Sequence, residues 1–242
     1  MAGHSKWKNI QNRKGAQDAK RGKIFQKMSR EIYVAAKSGG DDPDTNPALR
    51  LAIDKSKSVN VPNDVIQRAI DKATGSGADE NYEEVIYEGY GPGGVAVLVY
   101  TLTENRNRTG PNMRVAFNKN GGSLGETGSV NYLFERKGRL FIERTQETDE
   151  DAVMLAALEA GAEDVISTED GFEILTEPSE FLNVKEALEA EDLVFISAEV
   201  DMVPSVYADL SEEQQEQFHA MIDALEDDDD VQNVYHNANE EE

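Results

Sequence analysis

The sequence predicts an α+β multidomain fold, with an N-terminal helical domain followed by two α/β domains, one ferredoxin-like (βαββαβ) and inserted into the other. Three observations predict it. The 242 residues exceed one core at roughly 100 to 200 residues per domain. The hydrophobic period changes from helical to alternating near residue 79. The elements between Arg139 and Val203 complete one unit and so leave their flanks to find each other. The implied domains are 1–78, then 79–136 joined to 204–242, and 137–203 inserted between those two segments.

Residues 1–16 hold too little apolar surface to bury themselves and read as an arm that orders on binding. From Ala16 to Ser38 the apolar residues Ile24, Phe25, Met28, Ile32, Ala35 and Ala36 fall within an arc of about 120° on a helix. Lys20, Lys23, Lys27 and Arg30 fall in a separate arc of about 80°. One face packs and the other is a basic stripe. Gly39 and Gly40 end this helix, Asn46-Pro47 starts a second, and Pro62 opens a third that carries Val65, Ile66, Ala69, Ile70 and Ala73 to Gly75. The Gly-Ser-Gly-Ala segment after Thr74 reads as a linker.

Beyond the linker, Val85–Tyr90 and Val95–Thr103 read as strands around the Gly91-Pro92-Gly93-Gly94 turn. Pro111–Asn120 reads as a helix with Met113, Ala116 and Phe117 inward. Val130, Tyr132 and Phe134 alternate as a strand, and Arg136-Lys137-Gly138 reads as a turn into the next, Arg139–Arg144. A helix (Asp149–Ala160), two strands (Ala162–Ser167 and Phe172–Thr176), a helix (Pro178–Ala190) and a strand (Leu193–Val203) complete the inserted unit. A last helix, Ser211–Leu225, and a strand, Val231–His236, return to the interrupted domain, with Asn237–Glu242 expected to be disordered.

Charge is distributed unevenly along this framework. The chain has 24 Lys/Arg against 48 Asp/Glu, a formal net charge of −24, which excludes a uniformly basic nucleic-acid coat. Residues 1–40 nevertheless hold 10 basic and 2 acidic side chains, whereas residues 145–242 hold one basic side chain, Lys185, against 31 acidic ones. The acidic remainder is expected to repel nucleic acid within ~8 Å of its surface, so attraction is local to the head. There is no cysteine, hence no disulfide or thiolate chemistry. The longest aliphatic or aromatic run, Val95–Tyr100, is six residues where a membrane span needs ~20. With a polar, basic start and no apolar leader, a cytoplasmic protein without membrane contact is expected.

Chemical motifs fail on their contexts. Gly89-Tyr90-Gly91-Pro92-Gly93-Gly94 matches the dinucleotide G-x-G-x-x-G pattern, but a strand follows where a helix is required, so these are turn glycines. Asp42, Asp44 and Asn46 have calcium-loop spacing, yet Pro47 and Ile53 stand where Gly and Glu are needed. Asp227–Asp230 follows a helix C-terminus, where negative charge is unfavourable, and reads as a solvated end. His4, His219 and His236 show no zinc spacing. Ser123 and Ser129 lack a nucleophile-elbow context. No enzyme activity, metal or cofactor is expected.

Two basic constellations remain. The first is the arm with the stripe: Lys6, Trp7, Lys8, Arg13, Lys14, Lys20, Arg21, Lys23, Lys27 and Arg30, with His4 nearby in sequence. Such cations neutralise phosphates and release counterions, and an aromatic ring stacks on exposed bases. A merely solvated helix face would alternate its signs. The second is Arg106, Arg108 and Arg114 with Asn105 and Asn107 at or just before a helix N-terminus, where amides and guanidinium groups form an anion site.

At these residues the sequence resembles the YebC/PmpR family over nearly its whole length. The most specific stretches are Met1–Ile10, Asp44–Gly75, Tyr87–Gly94, Thr103–Thr109 and Asn120–Gly125. The resemblance implies a helical N-terminal domain, two α/β domains, a role in gene expression and no catalytic residues. One branch of the family is described as binding promoter DNA, and another as acting on the ribosome to relieve stalling at proline-rich nascent peptides. Two functions are therefore expected in order: a DNA-binding transcriptional regulator, then a translation factor that binds ribosomal RNA. Few Asn or Gln base readers on the stripe and no evident helix-turn-helix pair suit irregular RNA at least as well as a major groove. The acidic half is also compatible with docking a basic protein partner.

Overall fold

The structure, a computed structural model, describes residues 21–75, 80–145, 148–193 and 195–239. Two compact units emerge. One is Glu135–Val203, and the other joins residues 21–134 to Pro204–Asn239. The expected arm, Lys20 and most of the expected linker lie outside the described residues.

In the second unit, α1 (Arg21–Gly39), α2 (Pro47–Ser58) and α3 (Asn63–Thr74) form a three-helix layer. Asn46 sets the first corner. Its buried side chain accepts from the Leu49 amide (3.1 Å) to cap α2, and donates to the Ala35 and Gly40 carbonyls (2.9 Å each) at the end of α1. Met28, Ile32, Ala35 and Ala36 of α1 are buried against Leu49, Ala52, Ile66, Ala69, Ile70 and Ala73, so the apolar arc read from the sequence is the packed one. Tyr33 joins this core through its ring, while its hydroxyl donates to the Glu80 carbonyl (3.0 Å).

The chain then forms β1 (Glu83–Tyr90), β2 (Ala96–Thr103), α4 (Arg106–Lys119) and β3 (Ser123–Leu124). The inserted unit follows as β4 (Phe134–Glu143), α5 (Glu150–Glu159), β5 (Asp164–Ser167), β6 (Gly171–Thr176), α6 (Phe181–Glu189) and β7 (Phe195–Pro204). Its sheet order, β5-β6-β4-β7, is ferredoxin-like, and the fold class read from the sequence holds. After the insertion α7 (Glu212–Glu226) and β8 (Val231–His236) complete a second sheet, β3-β1-β2-β8, in which β8 runs antiparallel to β2. The core of this domain joins Val95, Val97 and Val99 to Met113 and Phe117 of α4 and to Phe218, Met221 and Leu225 of α7.

Four local expectations are corrected. The helix expected from Pro111 starts at Arg106, because the Asn105 side chain caps the amides of Asn107 and Arg108; Pro111 lies inside it. Arg136-Lys137-Gly138 is not a turn. One strand runs through it, and Gly138 is there because a Cβ would strike Thr176 and Phe181; residues 131–133 form a 3₁₀ turn instead of the start of a strand. The two-residue strand β3 was not expected. Asn237 is no disordered tail: it is buried, its Oδ1 accepts from the Ala96 amide (2.7 Å) and its Nδ2 donates to the Val206 carbonyl (3.1 Å).

The G-x-G-x-x-G look-alike has a packing explanation. Gly93 and Gly94 take positive φ (70° and 79°) in the turn. A Cβ on Gly89 would lie 2.6 Å from both the Phe117 ring and the Ser123 carbonyl, so α4 and β3 close directly over this residue. Gly89→Ala should therefore destabilise the protein by about 2 kcal/mol through overpacking, measured as a lower urea midpoint at an unchanged slope.

Candidate nucleic-acid interface

The geometry of the basic residues follows from the pairing of β8 with β2. That ladder carries the residue preceding β8, Asp230, to the C-terminal end of β2, where the Leu102 amide donates to its carbonyl (2.8 Å). The Asp230 carboxylate consequently faces the start of α4. Its side chain is only 2% exposed and is surrounded by donors. Arg108 Nη2 reaches both oxygens (2.9 and 2.7 Å), and Arg30 Nη1 of α1 reaches Oδ1 (3.0 Å). The hydroxyls of Thr109 and Thr103 donate to Oδ2 (2.8 and 3.2 Å). Burial pushes this carboxyl upward, but Arg108, Thr109 and Arg30 outweigh it and hold it below the usual Asp range. The Arg30 guanidinium also lies over the Tyr82 ring (5.3 Å) and donates to the Asp229 carbonyl (2.7 Å).

The basic stripe continues outward from this point along the same acidic segment. Lys27 donates to the Glu226 carbonyl (2.6 Å), and burial lowers its pKa against the pull of Glu226, Asp229 and Asp228. Lys23 donates to the Asp227 carboxylate (2.8 Å) and carbonyl (2.9 Å); that hydrogen bond raises its pKa. These carbonyls belong to the C-terminus of α7, the negative end of its dipole, so lysines are favourable there. Asp227–Asp230 is thus only in part the solvated end expected from the sequence: Asp227 and Asp229 are exposed, but Asp230 is buried. Asp227 and Asp230 pair with Lys23 and Arg30, some 200 residues away in the chain, and Asp230 pairs with Arg108 as well.

The second basic group divides. Arg108 belongs to the Asp230 cluster, and the anion site expected at the start of α4 is filled by the chain's own carboxylate. Arg106 makes an exposed pair with Glu83 (2.9 Å). Arg114 is exposed and without an ion pair among the described residues. Arg21 lies 6.0 Å over the Phe25 ring. Lys6, Trp7, Lys8, Arg13, Lys14 and Lys20 lie outside the described residues.

Glu88 organises a neighbouring loop and carried no obvious sequence signal beyond its Tyr-Glu-Gly-Tyr context. Its buried carboxylate accepts from the amides of Gly128 (2.6 Å), Val130 (2.8 Å) and Asn131 (2.8 Å). Burial raises its pKa, and these three amides more than reverse the effect. No cluster of three or more potential metal ligands occurs among the described residues, and no described helix is long and apolar enough to cross a membrane.

Comparison with known proteins gives this arrangement a family. Residues 5–76 match the TACO1/YebC N-terminal domain, and residues 82–238 match the TACO1/YebC second and third domain. The chain belongs to the TACO1/YebC family. A relative from Listeria monocytogenes is 62% identical over 239 residues, covering 98% of this chain and 99% of its own. One from Geobacillus sp. is 61% identical over 241 residues, covering 99% and 98%. One from Enterococcus faecalis is 59% identical over 239 residues, covering 98% and 99%. All three bear the name probable transcriptional regulatory protein. The crystal structure of a conserved hypothetical protein from Aquifex aeolicus has the same fold, with a TM-score of 0.80, 45% identity and 91% coverage of each chain.

In this TACO1/YebC member, Asp230→Ala should cost about 3 kcal/mol, because it leaves two arginines without their buried counter-charge. A lowered native pKa stabilises above the unfolded value of ~3.9 and is lost as pH falls through the native one. The stability gap between wild type and variant should accordingly be constant above about pH 5 and narrow in acid. Urea titrations at several pH values measure it.

Proposed function

We propose that the chain is a nucleic-acid-binding regulator of gene expression that acts on DNA as a cytoplasmic transcriptional regulator. One observation carries this reading: in a chain of net charge −24, the first 40 residues hold 10 basic side chains against 2 acidic ones, and Lys6, Lys8, Arg13, Lys14 and Lys20 lead into α1. Phosphate is the ligand that such a one-sign segment suits, since every neutralised phosphate releases counterions. Trp7 adds a ring for stacking. The names of the Listeria and Geobacillus relatives support the transcriptional assignment. Exposed Arg114 on α4 offers a further phosphate contact.

A specific observation favours a second reading, a translation factor on ribosomal RNA. A helix-turn-helix protein would lay α3 in the major groove, but the exposed side of α3 carries Asp64 and Asp71 beside Arg68 and Lys72 and so has no net positive charge. Crosslinking in cells followed by sequencing of both nucleic acids separates the two. Discrete promoter peaks are expected; reads concentrated in ribosomal RNA would transfer the function to translation. In vitro, replacing Lys6, Lys8, Arg13 and Lys14 by Gln should flatten the salt slope of duplex binding by about three to four units, at ~0.9 per lost phosphate contact. An unchanged slope would move the interface off the arm.

A further inference from the structure

We propose that Lys23 and Lys27 form a phosphate-binding strip on α1, bounded at its inner end by Arg30, whose resting occupant is the chain's own acidic turn, Glu226–Asp230, and that a nucleic-acid backbone binds there by displacing the outer end of that turn. The inference rests on the nucleic-acid reading above and concerns the regulation of that site.

The strip and its occupant match in chemistry and in length. From Lys23 to its boundary at Arg30 the strip covers ~10 Å of α1, about three base steps of a duplex at 3.4 Å each. Along it Lys23, Lys27 and Arg30 receive the oxygens a backbone would present: the Asp227 carboxylate and carbonyl, the Glu226 carbonyl, the Asp229 carbonyl and the Asp230 carboxylate. Asp228 and Asp229 also act on Lys23 and Lys27 through space. With the turn in place, an approaching phosphate meets carboxylates before it meets lysines.

The contact is graded, which makes it openable. At its inner end Asp230 is held by two arginines and two threonines and is shielded from water. Asp228 is anchored as well, accepting from Asn112 (2.9 Å) and from the Asp230 amide (2.9 Å). At the outer end the Lys23–Asp227 pair is 40% and 59% exposed, the class of ion pair that contributes little to stability and is screened by salt. Asp230 therefore serves as the pivot and Asp227 as the displaceable end. Displacement frees Lys23 first and Lys27 next, while Arg30 stays with Asp230.

The test uses the full-length chain and a random-sequence DNA duplex at low salt. Asp227→Asn with Asp229→Asn removes turn charges but leaves both anchors. It should bind about tenfold more tightly, with a salt slope steeper by about one to two units and a thermal midpoint moved by no more than about 2 °C. Glu212→Gln with Glu213→Gln makes the same change of net charge at the exposed first turn of α7, ~20 Å away along the helix, and should give no such gain. Adding Lys23→Gln and Lys27→Gln to the turn variant should abolish the gain. An equal gain from the Glu212/Glu213 variant would reduce the effect to bulk charge and overturn the proposal. No gain in the turn variant, with wild type binding normally, overturns the proposal and leaves the functional reading standing. Failure of every protein, wild type included, to bind DNA or RNA duplexes overturns both.

Discussion

The rest of the second unit depends on one buried carboxylate. Asp230 is the point at which α1, the end of β2, the start of α4 and the strand returning from the insertion meet. A charge in that position is costly unless fully partnered, and a pair broken on one side costs more than the pair is worth. The structure meets the condition with two guanidinium groups and two hydroxyls. Register makes this possible. Between Tyr100 and Thr101 the β2–β8 pairing skips Gln232, a bulge of the kind that re-aims a strand end beside a polar site. Without that shift Asp230 would face a different neighbour. Two segments separated by the whole inserted domain are thereby fixed to each other by sheet pairing and by charge at the same place.

The difference between what the sequence disclosed and what it hid follows distance along the chain. The apolar arc of α1 was legible because a helix brings residues three and four apart together, and Met28, Ile32, Ala35 and Ala36 are buried as the wheel indicates. Met113, Ala116 and Phe117 of α4 were legible for the same reason. The start of α4 was not, because Pro111 and Gly110 read as a break, whereas the Asn105 cap governs the first turn. Gly138 misled in a similar way: glycine next to two charged residues resembles a turn, but here it admits Thr176 and Phe181 at close range across the sheet. The acidic run was misread for a different reason. Nothing within ten residues of Asp227 supplies a cation, so local pattern leaves it solvated; its partners lie in α1.

A single short stretch, Tyr87-Glu88-Gly89-Tyr90, shows how one motif carries several constraints at once. Glu88 and Gly89 are adjacent on β1, so their Cβ positions face opposite sides of the sheet. On one side the carboxylate gathers three amides of the 128–131 segment; on the other, the missing side chain lets Phe117 and β3 close in. The next residue, Tyr90, donates its hydroxyl to the Ser129 carbonyl (2.9 Å) and ties down the same loop. A dinucleotide pattern and a turn pattern look alike in sequence because both need glycine, but the reason glycine is needed differs at each position.

The stripe on α1 shows why cation identity does not establish cation function. Lys23 and Arg30 lie on one helix face, seven residues apart, and both are paired with aspartates of one turn. They differ in the water around them. Arg30 faces a carboxylate removed from solvent, where dielectric screening is weak and the pair organises the core around it. Lys23 faces a carboxylate that remains largely hydrated, where the same nominal ion pair is worth a small fraction of that and competes on nearly equal terms with any other anion. A face that is uniform in sequence is therefore divided in structure, with a fixed end that holds two domains' elements together and an exchangeable end. The strongly negative total charge of the chain acts on the exchangeable end alone, because only there is the field of the acidic residues weighed against that of an external phosphate.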